Sequence, residues 1–324
     1  MNKIDNYRAA INKAIDKLEI GKEPAELYDP IKYMLSLGGK RMRPLLTLLA
    51  YSLVKDDWQA AIHPALAIEV FHNFTLVHDD IMDEAPLRRG KPTVYKKWNK
   101  NIAILSGDVM MVQAYDLLLE SKAEDLAYIL KLFNKCATDV CEGQQWDMNF
   151  ENINQVSEAD YIQMIQLKTA VLLGFSLELG GLLGGMSKEE AMKLRAFGIN
   201  MGIGFQLKDD ILDVYGDQQK VGKQVGGDII ANKKTYLLIK ALELANEDQK
   251  STLKGQLSKL NFDAEDKVEV VKSIYNQLNI QEVSEAKMNE YFKIAFNDLE
   301  QLDIPSEKLT VLKSFTKDLI NRDH

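Results

Sequence analysis

The chain has 324 residues, 46% of them hydrophobic and 27% charged, which is ample for a sizeable core and ordinary for a soluble protein. Its net charge of −8 excludes nucleic acid as the main partner, because phosphate-backbone contacts need a basic surface. An anionic small substrate stays open, since a local cluster of bases reverses the sign inside one cleft.

Apolar residues recur at three- and four-residue steps nearly throughout, and strand signals are absent. Helices are expected over 3–18, 25–37, 44–55, 59–83, 95–119, 122–148, 158–184, 188–216, 230–246, 248–259, 264–278, 281–301 and 306–321. The first is amphipathic and lacks an apolar h-region, so no targeting segment is expected. Gly38-Gly39 before Pro44, then Pro86 with Gly90 and Pro92, mark early breaks. Cys136 and Cys141 follow neither a Cys-x-x-Cys nor a zinc spacing, which fits a reducing cytoplasm. The most apolar stretch, Ala170 to Met186, carries Glu178 and falls short of the roughly 20 residues of a membrane span, so no integral membrane association is expected. Ser187 reads as a helix N-cap, Gly216–Gly227 as a glycine-rich loop, and Pro305-Ser306 as the start of the last helix. With no repeat and no low-complexity linker, the expectation is one all-α domain over 1–324, a large helical bundle around a central active-site cavity.

Two of these helices carry Asp-Asp-x-x-Asp: Asp79-Asp80-Ile81-Met82-Asp83 and Asp209-Asp210-Ile211-Leu212-Asp213. Carboxylates at i and i+4 lie on one helix face, about 6 Å apart. Bare, they repel one another, and both copies sit among apolar residues where unpaired charge is costly. A lone acidic cluster reads as a solvated helix face. Duplication with the same spacing and apolar flanks points to hard divalent cations gripping a polyanion such as a diphosphate.

Positive charge accompanies the acids. Gly38-Gly39-Lys40-Arg41-Met42-Arg43-Pro44 joins two helices, and Arg88-Arg89-Gly90-Lys91 follows the first acid motif, where forked guanidiniums suit diphosphate oxygens. Lys168-Thr169 lies inside an apolar helix and calls for an anionic partner. Lys223 follows the second motif, and Lys233-Lys234 reads as a helix start whose bland interpretation is a solvated end. No Ser, Cys or His is arranged as a nucleophile, and the four histidines form no zinc motif.

These motifs, together with His78 before the first triad, Gly143-Gln144, and Gly204-Phe205-Gln206-Leu207-Lys208 leading into the second, closely resemble the trans-type isoprenyl diphosphate synthases over about residues 35 to 240. The resemblance implies Mg²⁺-dependent head-to-tail condensation of isopentenyl diphosphate with an allylic diphosphate, in a homodimer. It implies that Asp79, Asp80, Asp83 and Asp209, with Asp210 and Asp213 around them, bind three Mg²⁺ ions on the allylic diphosphate. Arg88, Lys168, Lys223 and Lys233 would contact that diphosphate, and Lys40, Arg43, His72 and Arg89 the isopentenyl diphosphate. Thr169 and Gln206 would stabilise the developing cation and orient the leaving group. Phe74, with Phe71 and Thr75, stands where the family forms the floor of its tail pocket, which leans to a C20 product (geranylgeranyl) ahead of C15 (farnesyl). A helical wheel sets Phe74 well off the Asp79/Asp83 face, so the floor rests on the resemblance. His72 replaces a glutamine found in some members. A terpene cyclase would keep the fold and one acid motif, and a silent regulatory subunit the fold alone.

Overall fold

The computed structural model describes residues 3–216, 226–259 and 261–321. It is 78% helical, the all-α class expected. The helices run α1 Lys3–Asp16, α2 Ala25–Ser36, α3 Met42–Tyr51, α4 Ile62–Met82, α5 Val94–Lys97, α6 Lys100–Leu119, α7 Leu126–Glu151, α8 Glu158–Ile165, α9 Val171–Gly184 and α10 Lys188–Tyr215. They continue with α11 Gly227–Ile230, α12 Tyr236–Leu244, α13 Glu247–Ser258, α14 Ala264–Gln277, α15 Ile280–Glu300 and α16 Ser306–Ile320. Side-chain caps set several starts: Asn99 accepts from the Ile102 N–H at 2.9 Å, and Ser187 from Glu190 at 3.2 Å. Reciprocal capping boxes open α8 at Ser157/Asp160 and α13 at Asn246/Gln249.

Four local differences from the sequence-based expectation bear on function. A two-stranded hairpin, β1 Leu87–Arg88 with β2 Lys91–Pro92, interrupts the helices where no strand was expected. Strands two residues long are below the reach of any periodicity. The helix expected over 95–119 is two, α5 and α6, because Asn99 adopts extended backbone and caps the second. The helix expected over 158–184 contains a π segment, Gln166–Ala170, between α8 and α9. Finally, the helix expected from 230 starts at Tyr236, so Lys233-Lys234 occupy the connection after α11 and not a helix start.

The chain sorts into two compact units, each assembled from separate stretches. The first comprises Met1–Asn134, Phe175–Arg195 and Asp303–Phe315. Its core is built on α3, α4 and α6: Leu45, Leu46, Leu48, Ile68, Phe71 and Met110 are fully buried, and Phe71 meets Phe133 edge-on at 5.1 Å. Each such side chain contributes about 1.5–3 kcal/mol on burial. Glu178, the acid within the apolar run, pairs with Arg195 at 3.2 Å. Burial raises its carboxyl pKa and Arg195 opposes that rise.

The second unit comprises Lys135–Gly174, Ala196–Leu302 and Thr316–His324. One cluster in it packs Tyr161, Met164, Ile165, Ile203, Leu207 and Tyr236. Another packs Leu237, Leu238, Leu253, Val271, Tyr275 and Ile280. Three helical stretches, Trp58–Met82, Lys100–Leu119 and Glu158–Gly184, are long and apolar enough to cross a membrane by length and composition, where the sequence reading recognised none. The apolar windows of the first and third lie mostly inside the protein, against 39% of the window in α6.

Candidate active site

In the first unit α4 ends on the first acid motif. Asp83 closes the helix with its N–H on the Asp79 carbonyl at 2.8 Å, so Asp79 and Asp83 stand one turn apart. Asp79 is half-buried and Asp83 exposed. Asp80 is different, at 1% exposure. Arg88 closes on both its oxygens, with Nε at 2.9 and 3.1 Å and Nη2 at 2.8 Å. Burial raises the Asp80 pKa, and Arg88 opposes it. The hairpin places Arg88 there: Arg89 and Gly90 both have positive φ (53° and 72°), the two-residue turn that matches strand twist, and Gly90 takes its share of that backbone without a Cβ penalty. A backbone bond from the Ala85 N–H to the Asp80 carbonyl (3.0 Å) ties the hairpin to α4.

The basic turn before α3 meets this hairpin. Arg89 donates to the Gly38 carbonyl, and Arg43 Nη1 lies 3.1 Å from His72 Nε2. Arginine only donates, so that nitrogen accepts and His72 is the Nδ1–H tautomer. Burial first, then Arg43, Arg88, Arg89 and Arg41, hold the His72 pKa well below its ordinary value. Lys40 is exposed at the same turn. Arg41 points inward, paired with Glu69 at 2.6 Å and donating to the Leu35 carbonyl at 2.9 Å. It is the structural cation of the motif. Phe74 is half-buried between Phe71 (5.6 Å) and His78 (4.7 Å), whereas Phe71 is fully buried. The Thr75 hydroxyl is turned back onto the His72 carbonyl at 2.8 Å.

In the second unit the π segment carries Lys168 and Thr169. A π turn holds one extra residue and recurs at functional sites. It needs a close neighbour without a side chain: a Cβ at Gly143 would lie 2.2 Å from the Lys168 backbone nitrogen. Lys168 Nζ reaches Asp147 at 2.5 Å. From Thr169 a chain of hydrogen bonds runs to Gln206 Oε1 (3.2 Å), then from Gln206 Nε2 to Asp210 Oδ1 (3.1 Å), and Tyr161 donates to the other Asp210 oxygen. Burial, with Asp228 nearby, pushes the Asp210 pKa well up. Asp209 is exposed. Asp213 accepts from the Asp228 N–H at 3.0 Å, fixing the start of α11. Asp147, Tyr161, Lys168, Thr169, Gln206, Asp210 and Asp228 line one cavity with Lys233, Lys234 and Thr235.

Each unit therefore gathers its own share of the expected residues: Arg43, His72, Asp80, Arg88 and Arg89 in the first, and Lys168, Thr169, Gln206, Asp210 and Lys233 in the second. Lys223 lies outside the described residues. Sequence reasoning missed Asp147, Tyr161 and Asp228. Asp147 had a signal, because the lone lysine in an apolar helix demanded an anion; Tyr161 and Asp228 had none. The donors are all hard oxygens. Among the described residues no three acidic, His or Cys side chains converge into a cage. Hard oxygen donors of this kind fit a hard divalent cation.

Comparison with known proteins agrees. The polyprenyl synthetase family model matches residues 24–278, beyond the 240 at which the motifs stop. A geranylgeranyl pyrophosphate synthase from Geoglobus acetivorans is 37% identical over 97% of this chain and 96% of its own length. A geranylgeranyl diphosphate synthase from Saccharolobus solfataricus is 39% identical over 85% and 83%. A crystal structure of a geranylgeranyl pyrophosphate synthase superposes with a TM-score of 0.95 at 41% identity, covering 99% of both chains. With acid motifs, basic turn and helical frame all in place, the chain belongs to the polyprenyl synthetase family.

Proposed function

We propose that this prenyltransferase joins isopentenyl diphosphate head to tail with an allylic diphosphate, giving a short all-trans chain, C20 geranylgeranyl diphosphate ahead of C15 farnesyl diphosphate. The observation that carries the reading is shared by both acid motifs. In each, the second aspartate is buried and tied to protein donors, while the first is less buried, Asp79 half-buried and Asp209 exposed. Asp79, Asp83 and Asp209 are thus the metal-binding carboxylates, and Asp80, Asp210 and Asp213 the ones that hold the frame. The C20 preference rests on the names of the relatives and on bulky Phe74 as the floor of the tail pocket.

Bound Mg²⁺, three ions by resemblance, would supply the charge that stabilises the departing diphosphate. The protein's own groups do the rest. Arg88, Lys168, Lys223 and Lys233 hold the allylic diphosphate, and Lys40, Arg43, His72 and Arg89 hold isopentenyl diphosphate. As the allylic C–O bond breaks, its electron pair leaves with the diphosphate. The Thr169 and Gln206 oxygens face the developing cation, fixed by the chain that ends on Asp210. The isopentenyl double bond then attacks C1 of the cation, and loss of a proton to the departed diphosphate restores an alkene. Water must stay out until that bond forms.

A homodimer belongs to the same proposal. Leu105, Val112 and Leu119 form one stripe on α6 and are 58%, 60% and 53% exposed, a poor face to leave in water. A cytoplasmic protein without membrane spans is proposed as well, supported by the buried windows of Trp58–Met82 and Glu158–Gly184. The test is product length by mass spectrometry, from isopentenyl diphosphate with dimethylallyl, geranyl or farnesyl diphosphate, with and without Mg²⁺. A Mg²⁺-dependent C20 product is expected. No elongation from any starter would sink the reading in favour of a silent subunit.

A further inference from the structure

One buried cation takes no part in that chemistry. Lys267, on α14, is 1% exposed. Its ammonium donates to Asn232 Oδ1 at 2.6 Å and to the Ile230 carbonyl at 3.3 Å, and it lies 4.1 Å from the Phe262 ring centre. Burial lowers its pKa. An ammonium placed on two neutral oxygens and a ring is expensive to desolvate, and an apolar residue of similar length would fill the space without that cost. What only an ammonium does here is bridge a backbone carbonyl and a side-chain amide with one rotatable set of donors.

Both acceptors belong to one short segment. Asn232 has left-handed backbone (φ 57°), and its Nδ2 donates to the Leu257 carbonyl at 3.2 Å, so the amide is held at both ends. The segment is pinned at its start by Asp213, which receives the Gly226 N–H on its carbonyl and the Asp228 N–H on its carboxylate. Asp228, Lys233 and Thr235 line the active-site cavity of the second unit. The same three residues line a second, smaller cavity together with Lys267 and Tyr275. They are a partition, with the site on one side and Lys267 on the other.

We propose that Lys267 is a positioning residue for this partition: through Asn232 and the Ile230 carbonyl it fixes residues 228–235, so that Lys233 meets a bound diphosphate in one geometry. The inference rests on the prenyl-transfer reading of the site. It makes α14, whose sequence carries no motif, part of the substrate-binding apparatus.

The test uses the full chain and Lys267→Met and Asn232→Ala, singly and together. Binding of inorganic diphosphate with Mg²⁺ is measured by calorimetry, backbone hydrogen exchange by mass spectrometry, and KM and kcat by steady-state turnover. Lys267→Met is expected to keep its helical content while exchange in peptides over 226–235 quickens about tenfold or more and elsewhere stays unchanged. Diphosphate should bind about tenfold more weakly, with KM for the allylic diphosphate rising in parallel. Asn232→Ala should do the same, and the double variant should be no worse than either single one. Diphosphate affinity within about twofold of wild type in Lys267→Met, whatever its melting temperature, overturns the proposal, as does an additive double variant. Should Lys267→Met fail to fold, Asn232→Ala decides on the same readouts. A wild-type chain that elongates while both variants match it removes the clamp alone. A chain whose diphosphate binding follows these variants but which makes no prenyl product removes the prenyl reading and leaves the clamp.

Discussion

At the scale of residues, the two acid motifs are alike in sequence, and in each the second aspartate is more deeply buried than the first. Their spacing was legible, and so was the need for cations nearby. Which carboxylate faces solvent was not, because Asp80 owes its burial to an arginine on a hairpin and Asp210 to a tyrosine on another helix. Asp79→Ala or Asp209→Ala should lower kcat/KM by about 10²-fold or more, with the circular dichroism spectrum unchanged. Asp80→Ala leaves Arg88 facing an apolar hole and should cost about 2–3 kcal/mol in a denaturant titration. His72 offers a pH signature. Its folded pKa lies well below the unfolded 6.5, so above that pH it contributes nothing to the pH dependence of stability. As pH falls below 6.5 the unfolded chain binds a proton that the folded chain refuses, and stability drops. His72→Gln removes that proton, so the stability lost between about pH 6.5 and 5.5 should shrink by up to about 1 kcal/mol. An identical acid limb in the variant would refute the neutral assignment.

Among the elements, long amphipathic helices were readable because apolar spacing repeats over many turns, and the start of α10 because its cap, Ser187, is local. The irregular pieces were not, and the site uses them. The hairpin is too short for a pattern, and the π segment reads as ordinary helix until Gly143 is seen against it. Gly143→Ala should therefore destabilise by about 1–3 kcal/mol, through overpacking against backbone that has nowhere to go. Turnover of the folded fraction should fall too, since Lys168 and Thr169 ride on that segment; full activity in a destabilised protein would separate the π turn from catalysis. On α4 the fully buried Phe71 is a core aromatic, and half-buried Phe74 is the proposed floor of the tail pocket. Phe74→Ala should lengthen the product seen by mass spectrometry, and an unchanged distribution would remove it as the floor.

For the whole molecule, the all-α class followed from composition and period. The split into two units did not, because each is closed by stretches distant in sequence. Leu105→Asp with Val112→Asp should convert a dimer to a monomer in sedimentation velocity, since charge on the exposed α6 stripe opposes burial there. A double variant that sediments as the wild type does would rule out α6 as the interface. The interleaving also bears on how the protein is made. Leu309, Leu312 and Phe315 are buried in the unit that carries the first acid motif, yet they are translated long after it. A ribosome that has finished that motif at Asp83 has still to reach α16, which ends at Ile320, before the surrounding core can close. Nascent chains stalled short of α16 should expose apolar surface to chaperones and proteases, and the unit with the first acid motif, although it starts to emerge early, is held open until α16 is made.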